Sequence, residues 1–261
     1  MENFQQALQR IPGKSPHIQE VIYFPEIGST NAEAVERARS GALSGTVVVA
    51  ESQSSGRGRL GRHWDSPSGK GLYFSLILRP ALPAAQAPLT TLAVGLGLAQ
   101  IFRESGIHEL ILKWPNDLIV AKKKLGGILT EMYHSGSRVD FIVVGVGINV
   151  SQTDADFSPE VASLATSLQQ ITKRVWDRAE LLEKLLNTLT NEVERLATTG
   201  PAILVRRWEE ESGMIGLPIS FEEGGQKDGG RVLGLAADGR LRVQKEDGSV
   251  AELLAEDTTL L

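Results

Sequence analysis

The run Gly56-Arg57-Gly58-Arg59-Leu60-Gly61-Arg62, with Trp64 just beyond it, carries the densest chemistry in this chain. Three glycines let a backbone pass close to a ligand and take positive φ where needed. Three arginines on one short loop present forked, permanently charged donors that suit phosphate and carboxylate oxygens. Trp64 adds an aromatic face for a planar base. This spacing predicts a loop that closes over a polyanion. The same glycines fit the dinucleotide fingerprint G-x-G-x-x-G, which also needs a helix opening at the loop and an acidic residue roughly 20 positions on. His63-Trp64-Asp65-Ser66-Pro67-Ser68-Gly69 cannot start a helix, and no Asp or Glu lies between Asp65 and Glu104, which argues against that fold. A plain solvated turn would not need three phased glycines.

Four further stretches concentrate polar groups or glycines. Lys113-Trp114-Pro115-Asn116-Asp117-Leu118 reads as a hairpin corner, since Pro115 extends its neighbour and Asn116-Asp117 turns the chain. A lysine, an indole and a carboxylate in one corner exceed what a turn requires. In Lys124-Leu125-Gly126-Gly127-Ile128-Leu129 two glycines interrupt an apolar strand, which marks either a bulge or the close approach of a ligand or backbone. Gly145-Val146-Gly147-Ile148-Asn149 repeats that pattern, with Asn149 as a turn residue when read alone. Ser29-Thr30-Asn31 precedes a helix, where Thr30 with Glu33 makes a capping box.

These groups need a scaffold, and the hydrophobic pattern supplies one. Strands are predicted at 18–24, 46–50, 71–78, 110–113, 118–121, 124–134 and 139–150, and helices at 27–39 and 88–105. Short connections after residue 110 imply antiparallel pairing, hence an α+β class with a mixed, largely antiparallel sheet packed with helices. Asp177 with Glu180 resembles a second capping box, opening a helix that Gly200-Pro201 stops, and a shorter helix follows to about residue 213. Residues 1–17 read as an N-terminal extension, a short helix and a linker, so that 1–213 form the main domain. From 214 to 261 short alternating segments are separated by Glu223-Gly224-Gly225, Ala237-Asp238-Gly239 and Glu246-Asp247-Gly248, the signature of hairpins in a small separate β-barrel domain.

The bulk properties narrow the classes. The chain has 261 residues, 41% hydrophobic and 23% charged, with a net charge of −5, so its basic loop is a local feature rather than a nucleic-acid footprint. With no cysteine, disulfides, zinc–thiolate sites and cysteine nucleophiles are excluded, and the four histidines lack metal-ligand spacing. No signal peptide or membrane-length apolar stretch is evident, and a cytoplasmic location is expected.

Taken together, the five stretches resemble the catalytic domain of biotin protein ligases (biotin–acetyl-CoA-carboxylase ligases), in order and spacing from about residue 22 to 150, and the small C-terminal β domain matches too. The resemblance implies a class II synthetase-like catalytic fold with an SH3-like C-terminal barrel. It implies two half-reactions, in which biotin and ATP give biotinyl-5′-AMP, and a lysine of a biotin carboxyl carrier protein then takes the biotinyl group. Carried over by position, Lys124, Arg59 and Arg57 are the implied catalytic residues. Ser29, Thr30, Asn31, Gln53, Gly56, Arg57, Gly58, Arg59, Lys124 and Gly127 would surround biotin. Arg59, Arg62, Trp64, Lys113, Asn116, Asp117 and Asn149 would meet ATP. Mg²⁺ would ride on the ATP phosphates, with Asp117 as candidate protein ligand.

A DNA-reading domain, which many bacterial relatives carry, is not expected, because the first strand starts near residue 18 and what precedes it is not basic. No membrane partner is expected. A homodimer through the open edge of the main sheet is among the expectations. The nearest rival is a lipoate or octanoate ligase or transferase of the same fold; a non-catalytic biotin- or nucleotide-binding module and a nucleic-acid-binding protein rank below it.

Overall fold

The computed structural model describes residues 3–223, 226–254 and 258–260. β1 (Glu20–Ile27), α2 (Thr30–Arg39) and β2 (Thr46–Gln53) form a βαβ unit, whose strands pair in parallel with Glu20 opposite Thr46. Every later pairing between two described strands is antiparallel. β3 (Gly71–Leu78) is buried at all eight positions, which fits a central strand covered on both faces. β4 (Ile111–Lys113), β5 (Asp117–Val120), β6 (Lys123–Ser135) and β7 (Arg138–Asn149) complete a seven-stranded sheet in the order β1-β2-β3-β7-β6-β5-β4. The predicted class holds; β3 matches its expected span, and the ends of the other strands differ from expectation by at most three residues.

Helices cover both faces. α2 packs Ala34, Val35 and Ala38 on Val48, Ile77 and Val143. The other face carries α3 (Leu89–Glu104), α5 (Arg178–Thr199) and α6 (Pro201–Glu211), while α4 (Leu168–Thr172) is a single capped turn. Asp177 caps α5 by accepting from the amides of Ala179 and Glu180 at 2.8 and 3.0 Å. The predicted capping box does not form there, because the Glu180 carboxylate instead takes Lys184 one turn on, at 2.7 Å. Pro201 then opens α6, where its missing N–H costs nothing. The N-terminal segment opens with the expected short helix: α1 (Phe4–Leu8) and the turn after it bury Leu8 and Ile11 in the main core.

Beyond residue 213, β8 (Pro218–Glu223), β9 (Gln226–Leu235), β10 (Leu241–Lys245), β11 (Val250–Leu253) and β12 (Thr258–Leu260) form a five-stranded antiparallel sheet in the order β11-β10-β9-β8-β12. Positive φ at Gly239 and Gly248 makes the two predicted Asp-Gly turns. Gly224 and Gly225 of the third predicted turn lie outside the described residues.

Candidate active site

A strand's side chains alternate between faces, so Gly145 and Gly147 of β7 share the α2 face of the sheet. Gly127 of β6 pairs directly with Gly147. The missing side chains make room for other residues. A Cβ on Gly145 would lie 2.0 Å from Asn31 Oδ1, and one on Gly147 would lie 2.5 Å from the Trp64 indole. The interrupting glycines are therefore a floor for close approach.

The walls of a cleft rise from that floor. On one side the N-terminus of α2 points in, capped by Ser29 and not by Thr30, because Ser29 is the last extended residue. Glu33, expected in a box with Thr30, instead pairs with Arg37 at 2.7 Å. Thr30 is freed to donate its amide and hydroxyl to Gln53 Oε1 at 2.8 and 3.1 Å. Ser75, fully buried on β3, donates its hydroxyl to Asn31 Oδ1 at 2.6 Å and lies 2.9 Å from Thr30 Oγ1, and the Asn31 side-chain amide donates to Glu131 at 2.9 Å. The result is a rigid polar wall suited to a neutral heterocycle.

The glycine–arginine loop forms the roof. Its two limbs pair through Trp64 N–H to Gly56 O (2.9 Å) and Gly58 N–H to Arg62 O (2.7 Å), around a single turn at Arg59–Gly61. Gly56 lies at the neck, where a Cβ would meet Trp64 O at 2.4 Å; it keeps the limbs together and does not line the cleft. Ser66 ties this neck to the wall by accepting from Gln53 Nε2 at 2.9 Å. Trp64 lies across Gly147 and Gly127, and its buried indole N–H has no partner among the described residues. A buried donor left unpaired at the centre of a cleft marks a place prepared for an acceptor. Nearby, burial pushes the Tyr73 phenol well above its ordinary range, so it stays a neutral donor to Pro67 O at the end of the loop.

The far side is cationic. Arg57, Arg59, Arg62, Lys113 and Lys124 line the cleft against one carboxylate, Asp117, an excess of four positive charges in a molecule of net charge −5. Asp117 receives Lys124 Nζ at 2.7 Å and Lys113 Nζ at 3.9 Å. Arg59 donates to Asn116 Oδ1 at 3.3 Å, and Arg57 lies 4.0 Å from Glu131. Lys124 stands 5.4 Å from the Trp64 ring centre, a cation–π distance that ties roof to floor. Among the described residues no group of three acidic or histidine side chains could cage a metal ion. A single carboxylate beside a phosphate site is the donor set that suits Mg²⁺ carried on a nucleotide.

This geometry can hold a small polar ring over the glycines and bring two anions together under five cations. The biotin/lipoate A/B protein ligase family model matches residues 23–149, the span that builds the cleft. Over 230 residues the chain is 35% identical to the bifunctional ligase/repressor BirA of Bacillus subtilis strain 168, covering 88% of this chain and 71% of that protein. The chain belongs to the biotin/lipoate A/B protein ligase family. A second relative in the ligase family, the biotin–[acetyl-CoA-carboxylase] ligase of Paracoccus denitrificans, is 35% identical over 221 residues, 82% of this chain and 89% of that protein. The solved biotin protein ligase from Aquifex aeolicus in complex with biotin and ATP matches with a TM-score of 0.75 at 32% identity, covering 94% of this chain and 100% of that chain.

Most of the ligase-family positions read from the sequence converge here: Ser29, Thr30, Asn31, Gln53, Arg57, Gly58, Arg59, Arg62, Trp64, Lys113, Asn116, Asp117, Lys124 and Gly127 all line the cleft. Asn149 does not. Its buried amide donates to Thr166 O at 3.0 Å and Lys124 O at 3.4 Å, and so holds the Lys124 backbone from behind. Ser75, Glu131, Ser66 and Thr258 escaped the sequence reading. Only Ser75 left a trace, as the lone polar residue of an otherwise apolar strand.

Proposed function

We infer that this chain is an ATP-dependent biotin ligase, which activates biotin as biotinyl-5′-AMP and transfers it to a lysine in the biotin carrier domain of acetyl-CoA carboxylase. The observation that carries this reading is the cationic corner built around a glycine floor. In the first step a biotin carboxylate oxygen bonds to the α-phosphorus of ATP while the bond to the β-phosphate oxygen breaks, releasing pyrophosphate. Repulsion between carboxylate and polyphosphate is the main obstacle, and prearranged cations reduce it. Arg57, Arg59 and Lys124 face both anions, with Arg62 nearer the departing pyrophosphate. Thr30 and Gln53 hold the ureido ring over the floor. Mg²⁺, when bound, supplies further neutralisation of the phosphates, with Asp117 as its candidate ligand. In the second step the acceptor amine attacks the acyl carbon, loses a proton, and AMP leaves. The roof of the loop excludes water from the mixed anhydride in the interval.

The residue roles rest on position and on the contacts above. Catalysis is assigned to residues 1–213 and a supporting role to 214–261. The cytoplasm, where ATP and the carboxylase are found, is part of the same proposal; among the described residues no helix is long and apolar enough to cross a membrane. Self-association would use β1, because β4 at the other edge is closed by Leu112 N–H donating to Ser212 O at 2.8 Å. The decisive experiment incubates the protein with ATP, biotin and a carrier domain and weighs that domain. One added biotinyl group supports the reading, and an unchanged mass defeats it. Pyrophosphate exchange with lipoate in place of biotin separates the two branches of the family.

A further inference from the structure

Trp114 sits in the middle of the cationic corner, yet the reaction scheme gives it no task. It is 4% exposed. All three of its hydrogen-bonding atoms are taken by residues beyond 213. Its N–H donates to Met214 Sδ at 3.0 Å, its indole Nε1–H donates to Gly239 O at 3.0 Å, and its carbonyl accepts from Thr258 Oγ1 at 3.0 Å. The Gly239 turn is itself wedged on α3, since a Cβ there would lie 2.6 Å from Leu89 Cδ2. Thr258, on β12, is buried and reaches the edge of the cleft. Through its backbone N–H and carbonyl and its indole N–H together, residue 114 ties in three segments separated by up to 44 positions in sequence (214, 239 and 258), more than filling space requires.

Trp114 lines the cleft together with its neighbours, and the neighbours carry the polar contacts of the corner. Lys113 and Asp117 pair across the hairpin, Asn116 receives Arg59, and Asp117 receives Lys124. Clamping residue 114 therefore fixes the groups that meet the phosphates. The wall that meets the heterocycle (Thr30, Gln53, Ser75) is anchored elsewhere, on α2, β2 and β3.

We propose that Trp114 is a positioning residue through which the C-terminal sheet holds the Lys113–Asp117 corner in register for ATP, leaving the biotin wall untouched. This rests on the ligase reading above, and the test keeps the two apart. Trp114→Phe removes the indole N–H but keeps an aromatic body; Thr258→Val removes the hydroxyl at similar volume; Thr258→Ser keeps it. In the full chain, biotin-dependent ATP–pyrophosphate exchange should show kcat/KM for ATP falling about tenfold in Trp114→Phe and Thr258→Val, the scale of one lost buried hydrogen bond. Biotin affinity by titration calorimetry should stay at the wild-type value, and Thr258→Ser should restore ATP use. Three outcomes overturn the proposal: ATP kinetics unchanged in both variants, biotin and ATP weakened by the same factor, or Thr258→Ser behaving like Thr258→Val. If the wild type shows no biotin-dependent exchange at all, the ligase reading fails instead.

Discussion

Lys124 owes its place to two residues in the left-handed region, Ala121 at φ 49° and Lys122 at φ 64°. Together they turn β5 into β6 and start the strand at the cleft's edge, a local strain of the kind found at functional sites. Lys124→Ala should leave biotin bound and slow adenylate formation about 10²–10³-fold, the scale of removing one preorganised charge-stabilising donor. Pyrophosphate exchange measures it, and an unchanged rate would move the catalytic role to another lysine. Gly147→Ala should drive the indole off the floor, because its Cβ would sit 2.5 Å from Trp64. A red-shifted tryptophan emission and weakened biotin binding are expected; a wild-type spectrum with wild-type affinity would show that the indole does not rest there. Residue types sufficed to find Arg57, Arg59, Lys124 and Asp117, since charge and glycine spacing are written locally. The partnership of Ser75 and Glu131 with Asn31 was invisible, because Asn31 lies 44 and 100 positions away from them. Asn149, a turn residue by its own pattern and an ATP contact only by resemblance, braces the Lys124 and Thr166 carbonyls, which the sequence could not show because the 164–166 segment has no pattern of its own.

At the scale of elements, periodicity located the sheet and the long helices, because amphipathic spacing records which face is buried. It could not show how α1 packs. Phe4–Leu8 is too short to show a period, yet its ring at Phe4 lies 4.1 Å from the Arg178 guanidinium, which also grips Glu51 through two bonds of 2.8 and 3.1 Å. This half-buried fork joins α5 to β2 with α1 stacked above. Arg178→Ala should cost about 2–4 kcal/mol, since it leaves Glu51 with its charge partly desolvated and unpaired. Denaturant titration would read that loss; a change below 1 kcal/mol would mean solvent already carries the pair. The capping boxes were half legible: Ser29 and Asp177 do cap, but both predicted glutamates turn instead to basic residues four positions on.

For the molecule as a whole, the Asp-Gly turns announced a separate C-terminal unit, but nothing in the sequence said how firmly it would be attached. The main core runs without a break from Leu8 through Trp208 and Met214 to Leu253. Glu209 of α6 accepts from the Leu235 amide of β9 at 3.0 Å, adding a polar tie across the boundary. Calorimetric unfolding should therefore give one cooperative transition. Two resolved peaks would show that the sheets melt independently. The late position of Gly239 and Thr258 also has a temporal consequence. During synthesis the floor, roof and arginines leave the ribosome first, while Trp114 waits for partners that emerge near the end. A chain stopped before residue 239 leaves Trp114 without two of its three partners, so the corner that meets the nucleotide is completed only with the last strands.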